Sequence, residues 1–233
     1  MVQEFKSKIL KIIQEAPEVK TLVIECPDDF SFQPGQFVML SLPDNPKFAK
    51  AYSISSSPLK KRVIEITFKV ESYPKEEESK HLTPRLGKCK PGQELIIKGS
   101  YGKFILDESK SNYIFISAGT GIAPLMSMIR YCLDKSLKKD ITLINSNRTP
   151  EAIIYKKELQ ELSSKINLVQ TITQPQSEWK GHKGRIDKHL LRENLKPGAL
   201  IYLCGPKEMV LTTKQYLKDL SIADEQIRVE LWG

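Results

Sequence analysis

Apolar and polar residues along this 233-residue chain follow two different periods. Over the first hundred residues the period is two, the spacing of a strand with one buried face. Residues 6–14 alternate, residues 21–26 are β-branched and apolar, and residues 37–42 follow a Gln33-Pro34-Gly35 turn. Residues 62–71 are the clearest case, setting Val63, Glu65, Thr67 and Lys69 against Ile64, Ile66, Phe68 and Val70. A second turn, Lys90-Pro91-Gly92, introduces a strand at residues 94–98. Short strands punctuated by Pro-Gly turns predict a small antiparallel barrel. Between them, residues 76–80 read as a charged surface segment.

After Asp107 the period changes. Strand-like runs at residues 113–117, 141–145, 168–173 and 200–204 alternate with helical patterns at 124–133, 150–162 and 207–220. Such alternation predicts a parallel sheet with right-handed crossovers. The wholly polar stretch at residues 107–112 marks the boundary, giving domains at 1–107 and 108–233. The second domain opens on a buried strand, Tyr113-Ile114-Phe115-Ile116, then Gly119 and Gly121, with Pro124 expected at the first helical position. Glycines let a backbone approach a phosphate and a helix N-terminus favours its charge, so this turn is a candidate anion site. Pro124 stands where the third glycine of G-x-G-x-x-G would be.

Composition narrows the class. At 40% hydrophobic and 27% charged residues, the chain can bury real cores, and no apolar run approaches the ~18–20 residues of a membrane span. Lys6, Lys8 and Lys11 interrupt the apolar residues at the N-terminus, unlike a signal peptide. We therefore expect a cytoplasmic protein with no membrane partner. Cys26, Cys89, Cys132 and Cys204 form no C-x-x-C pair, and His81, His182 and His189 form no ligand set with them. A disulfide scaffold, a metal site and a plant-type iron–sulfur cluster are not expected. The net charge of +8 calls for an anionic partner. That excess is spread, +3 over residues 1–107 and +5 over the rest, so nucleic acid is the weaker choice.

Five stretches in order make the pattern specific: Lys50-Ala51-Tyr52-Ser53-Ile54-Ser55-Ser56, Gly99-Ser100-Tyr101-Gly102, Gly119-Thr120-Gly121-Ile122-Ala123-Pro124, Tyr202-Leu203-Cys204-Gly205-Pro206, and the terminal Glu230-Leu231-Trp232-Gly233. Together they resemble the ferredoxin–NADP reductase family along essentially the whole chain. The resemblance implies a six-stranded antiparallel flavin-binding β-barrel followed by an α/β parallel-sheet nucleotide-binding domain. Lys50 would neutralise a flavin phosphate, although the family's usual arginine would add a bidentate fork. Ala51 would lie beside it, Tyr52 would stack on the isoalloxazine, and Ser53 would hydrogen-bond near its reactive nitrogen. Leu82 and Thr83 belong to a segment whose amides and hydroxyl would reach the phosphates, with a helix cap as the plainer role for Thr83. Tyr73 would stack on adenine or else be a surface tyrosine.

In the second domain, the resemblance sets Gly119, Thr120, Gly121 and Pro124 against the pyrophosphate of NAD(P)H. Asn147 and Arg148 follow the second strand, where the adenosine ribose lies in this family. No diol-binding acid stands there, so Arg148 and Arg185 are candidates for a 2′-phosphate and favour NADPH over NADH, with a solvated arginine or a helix-cap partner as the equal alternative for each. Cys204, with Gly205 and Pro206, would stand beside the nicotinamide; a buried core thiol is the alternative. Glu230 would be the carboxylate near that ring, or else an edge-strand charge. Trp232 would be an aromatic covering the flavin face that nicotinamide must reach, or else a side chain closing the last strand against the core. The implied catalytic set is Ser53, Cys204, Glu230 and Trp232.

The resemblance implies an oxidoreductase carrying FAD, with FMN as the alternative. It would exchange hydride with NADPH or NADH and single electrons with an acidic ferredoxin or flavodoxin. An oxygenase reductase component or a free-flavin reductase is the second reading, and a non-catalytic flavin-binding electron-transfer subunit the third.

Overall fold

A computed structural model describes residues 2–175 and 178–232, with Trp232 represented by its backbone. The chain forms two compact units. One gathers residues 1–106 with residues 126–135; the other gathers 107–125 with 136–233.

In the first unit, β1 (Gln3–Ala16), β2 (Val19–Glu25), β3 (Phe37–Ser41), β4 (Lys50–Ser53), β5 (Val63–Lys69) and β6 (Glu94–Tyr101) make one sheet in the order β4-β3-β6-β1-β2-β5. Every pairing is antiparallel. A bridge between Ile54 and Ile66 joins the chain beyond β4 to β5, bringing the two ends of that order together as the predicted barrel requires. A short helix, α1 (Leu82–Gly87), precedes β6. The period of two does its work inside: Leu22, Ile24, Val38, Leu40, Ile64, Ile66 and Ile97 are fully buried in one cluster. Each such side chain stabilises the barrel by about 1.5–3 kcal/mol relative to exposure.

The opposite face of β5 departs from the pattern. Glu65 and Thr67, read as its polar face, are buried too. Thr67 shares a hydrogen bond with Thr21 at 2.7 Å, and residues 126–135 account for Glu65. Arg130 Nη1 donates to Glu65 Oε2 at 2.9 Å and to the Ser55 carbonyl at 2.8 Å, while Ser127 Oγ donates to the Ser56 carbonyl at 2.7 Å. Lys60 Nζ reaches the other Glu65 oxygen at 2.5 Å. A buried carboxylate is tolerable only when paired and hydrogen-bonded, and Glu65 is both.

The second unit carries β7 (Asn112–Ala118), α2 (Ile122–Asp134, its later turns belonging to the first unit), β8 (Asp140–Asn147), α3 (Lys156–Leu162), β9 (Asn167–Ile172), β10 (His182–Lys183), α4 (Lys188–Asn194), β11 (Leu200–Pro206), α5 (Lys207–Asp219) and β12 (Ile227–Trp232). Its sheet runs β10-β9-β8-β7-β11-β12 and is parallel throughout. Leu190 and Leu191 of α4 and Val210 and Leu217 of α5 share a buried cluster with Ile114, Ile116, Ile201 and Leu203. Tyr113, Phe115 and Tyr202 form an aromatic group of their own, with ring centroids 5.6–6.4 Å apart. Tyr113 donates to the Asp107 carbonyl at 2.7 Å and Tyr202 accepts from the Asp107 amide at 2.9 Å, so the polar stretch after the barrel is held by this unit.

Two expectations need correction. Residues 150–162 are not one helix: a 3-10 turn covers Pro150–Ala152, Ile153 is extended, and Tyr155 is left-handed at φ 57 before α3 begins. Burial of Ile153, Ile154 and Tyr155 outweighs the helical pattern there. Pro124 is the third residue of α2 rather than the first, because the preceding 3-10 turn, Gly119–Gly121, runs directly into the helix.

Candidate functional site

In the barrel unit, β4 carries the first group of predicted residues. Antiparallel pairing sets Lys50 against Leu40, Tyr52 against Val38 and Ser53 against Phe37. The period of two sends Lys50 and Tyr52 to one face, Ala51 and Ser53 to the other. Tyr52 packs into the barrel core, its ring edge-on to Phe68 at 6.0 Å and 71°. Its buried hydroxyl has no hydrogen-bond partner among the described residues. Burial, followed by the negative charge of Glu71, pushes that phenol far above its ordinary range.

Glu71, two residues past β5, draws the other predicted residues together. Thr83 Oγ1 donates to Glu71 Oε2 at 2.7 Å, Tyr73 Oη donates to the same oxygen at 3.1 Å, and Lys50 Nζ lies 4.0 Å from it. The Thr83 hydrogen bond, with Tyr73, Lys50 and His81 behind it, holds the Glu71 carboxyl below the usual carboxylate range against the effect of burial. Thr83 is the second residue of α1, and the capping position belongs to His81, which makes no side-chain cap. Tyr73 stacks on His81 at 3.5 Å and 5°, so an adenine could use only its other face. Leu82 is fully buried in the core and could offer only backbone. Two hydroxyls and an ammonium converging on one anionic oxygen, beside a buried phenol without a partner among the described residues, are a donor set that could hold a flavin phosphate and its ribityl chain.

In the second unit, the turn between β7 and α2 is built by glycine. Gly119 sits at φ +53, and a Cβ there would meet nothing within 4 Å, leaving an open backbone face. A Cβ on Gly121 would lie 2.3 Å from the Cys204 carbonyl oxygen, so the turn rests directly on the end of β11. Thr120 is half-buried between them, and Pro124 is buried. Parallel pairing then puts Cys204 opposite Glu230, Gly205 opposite Leu231 and Pro206 opposite Trp232. Cys204 is fully buried and Glu230 half-buried. The Trp232 side chain lies outside the described residues.

At the ends of β8, β9 and β10 stands the third group. Asn147 is buried, with no partner for its amide nitrogen among the described residues. Arg148 is exposed and donates from Nε to Gln174 Oε1 at 2.8 Å. Arg185, just past β10, has Nη1 3.9 Å from Glu208 Oε1, both side chains being over four-fifths exposed. The two arginines thus flank the end of β9 from neighbouring strands, with no contact between them among the described residues.

Two polar residues of these sites escaped the sequence reading. Glu71 has no motif, since an acid ending a strand usually faces water. Asn145 is fully buried, accepts from Ser117 Oγ at 3.0 Å and has an amide nitrogen with no partner among the described residues. Its signal was available: an amide directly following Leu143-Ile144 in a buried parallel strand. Among the described residues there is no cluster of metal-ligating side chains and no helix long and apolar enough to cross a membrane.

A six-stranded antiparallel barrel followed by a parallel α/β unit opening on a glycine turn is the architecture expected of a two-domain flavin- and nicotinamide-dependent oxidoreductase. The chain matches the oxidoreductase FAD-binding domain family over residues 7–105 and the oxidoreductase NAD-binding domain family over 115–215. It belongs to the ferredoxin–NADP reductase family. It is 34% identical over 223 residues to the glycine betaine monooxygenase reductase subunit of Pseudomonas aeruginosa, covering 91% of this chain but only 59% of that relative. Among solved structures, the ferredoxin reductase in carbazole 1,9a-dioxygenase superposes with a TM-score of 0.88 at 21% identity, covering all of this chain and 70% of the other. A ferredoxin NADP+ reductase from Neisseria gonorrhoeae with bound FAD and NADP gives 0.84 at 23%, covering 98% of each.

Proposed function

We propose that this chain is the reductase of an electron-transfer system, taking hydride from NAD(P)H and passing electrons singly to a carrier on a separate protein. Residues 1–107 are the flavin-binding domain and residues 108–233 the nucleotide-binding domain. The observation that carries this reading is the seat of the Gly119–Gly121 turn against Cys204, with Glu230 next to Cys204 in register. One frame then offers backbone to a pyrophosphate and a thiol and carboxylate to the ring at the far end of the same nucleotide.

Bound flavin supplies the chemistry that side chains cannot, accepting two electrons at once and releasing them one at a time. The chain's own residues bind and orient. Lys50 and Thr83 hold phosphate, Tyr52 offers its ring and hydroxyl, and Ser53 directs a hydroxyl toward the reactive edge. Gly119, Thr120, Gly121 and Pro124 receive the pyrophosphate. Cys204, Glu230 and the neighbouring Gly205 and Pro206 orient the nicotinamide and keep water from it. Asn147 meets the adenosine ribose, and Arg148 and Arg185 favour the 2′-phosphate of NADPH.

The +8 charge suits an acidic ferredoxin or flavodoxin as carrier, met in the cytoplasm. The match to a monooxygenase reductase subunit favours a second reading, a reductase component feeding an oxygenase. Purified protein should be yellow and should bleach when NADPH is added without oxygen. Protein that stays yellow with both NADPH and NADH is a flavin-binding subunit without nicotinamide turnover, and the proposal falls.

A further inference from the structure

We propose that Glu71 is a built-in competitor for the flavin phosphate, its carboxylate holding the phosphate donors when flavin is absent and setting flavin affinity by displacement. The inference rests on the reading of Lys50 and Thr83 as phosphate ligands. Thr83, Tyr73 and Lys50 come from α1, the segment after β5, and β4, yet all three address one oxygen, Glu71 Oε2. An arriving phosphate must take those donors from the carboxylate. It can, because it carries more charge and more acceptor oxygens, and its hydrogen bonds to Lys50 and Thr83 are charge-assisted. The displaced carboxylate has somewhere to go: its side chain is already 46% exposed. Tyr73 remains packed on His81 throughout, so the donors stay in place while the anion changes. The Thr83 and Tyr73 hydrogen bonds and the nearby charges of Lys50 and His81 favour ionised Glu71, so competition persists at neutral and mildly acid pH.

The test is a titration of the full chain, stripped of flavin, with FAD, FMN and riboflavin, followed by flavin fluorescence. Glu71→Gln keeps the size and the acceptor but removes the charge. If wild type is self-occupied in all but a tenth to a third of molecules, Glu71→Gln should bind FAD and FMN about three- to tenfold more tightly. Riboflavin, which has no phosphate, should bind both proteins equally. Glu71→Ala should behave the same way, and melting curves without flavin confirm that each variant is folded. Unchanged or weaker FAD and FMN binding overturns the proposal, as does an equal gain for riboflavin. Thr83→Val separates the two levels. If it weakens FAD while Glu71→Gln does not tighten it, the phosphate cradle stands and only the competition fails. Should Thr83→Val leave FAD affinity unchanged, the cradle assignment falls and the inference with it.

Discussion

A buried hydroxyl without a partner costs roughly 1–3 kcal/mol, and Tyr52 carries one inside the barrel. No hydrogen bond among the described residues compensates it, and under the proposed function a ligand atom would. Tyr52→Phe should therefore stabilise the flavin-free protein by about 1 kcal/mol and weaken flavin binding by a similar amount. Thermal melts without flavin and fluorescence titrations with it measure the two changes. A variant unchanged in both would make the hydroxyl irrelevant to the cofactor. Arg148 and Arg185 pose the opposite case, since both are exposed and already have neutral or acidic neighbours, Gln174 and Glu208. Replacing either by alanine should cost NADPH about 1.5–3 kcal/mol for each charge-assisted hydrogen bond lost and spare NADH. Equal losses for both nucleotides, measured as kcat/KM, would make the arginines structural.

Elements position these residues through close backbone approaches. Gly121→Ala drives a methyl group to within 2.3 Å of the Cys204 carbonyl oxygen, and neither partner is a flexible side chain that could yield. The turn must move off β11, at a cost of about 1–3 kcal/mol. Weaker NAD(P)H binding with flavin content unchanged is the expected signature, read by nucleotide titration and by absorbance. Retained affinity would mean that the turn does not bind the pyrophosphate. Much of this level was legible in the sequence, because period-two runs such as residues 62–71 and buried runs such as 113–117 encode their own burial. The glycine turn could be picked out from its own residues, a buried strand running into Gly119 and Gly121, whereas Lys50, Tyr52 and Thr83 became candidates only through the family resemblance. What stayed hidden depends on contacts distant in sequence. Glu65 reads as a solvent-facing strand residue until Arg130, 65 positions later, covers it. Glu71 becomes a site residue only when β4 and α1 bring Lys50 and Thr83 to it. The helix read across residues 150–162 failed because Ile153, Ile154 and Tyr155 gain more from burial than from helical hydrogen bonds.

For the molecule as a whole, charge is the property that reaches furthest. The excess of +8 divides as +3 and +5 between residues 1–107 and 108–233, so neither part repels an acidic partner. Fields of this kind raise encounter rates with oppositely charged proteins by about 10- to 1,000-fold, and salt removes the gain. The Debye length falls from ~30 Å at 0.01 M to ~10 Å at 0.1 M, less than the width of a docking surface. Under the proposed function, electron transfer to an acidic ferredoxin or flavodoxin should lose about tenfold in kcat/KM between those ionic strengths. NADPH is itself an anion, so a falling rate alone would not isolate the carrier. A basic acceptor such as a cationic cytochrome supplies the control: like charges repel at low salt, and its reduction should accelerate as salt is added. Opposite signs for the two acceptors, measured at saturating NADPH, would assign the effect to carrier encounter. The same sign for both would show that the net charge does not select the carrier, and the case for an acidic partner would have to be abandoned.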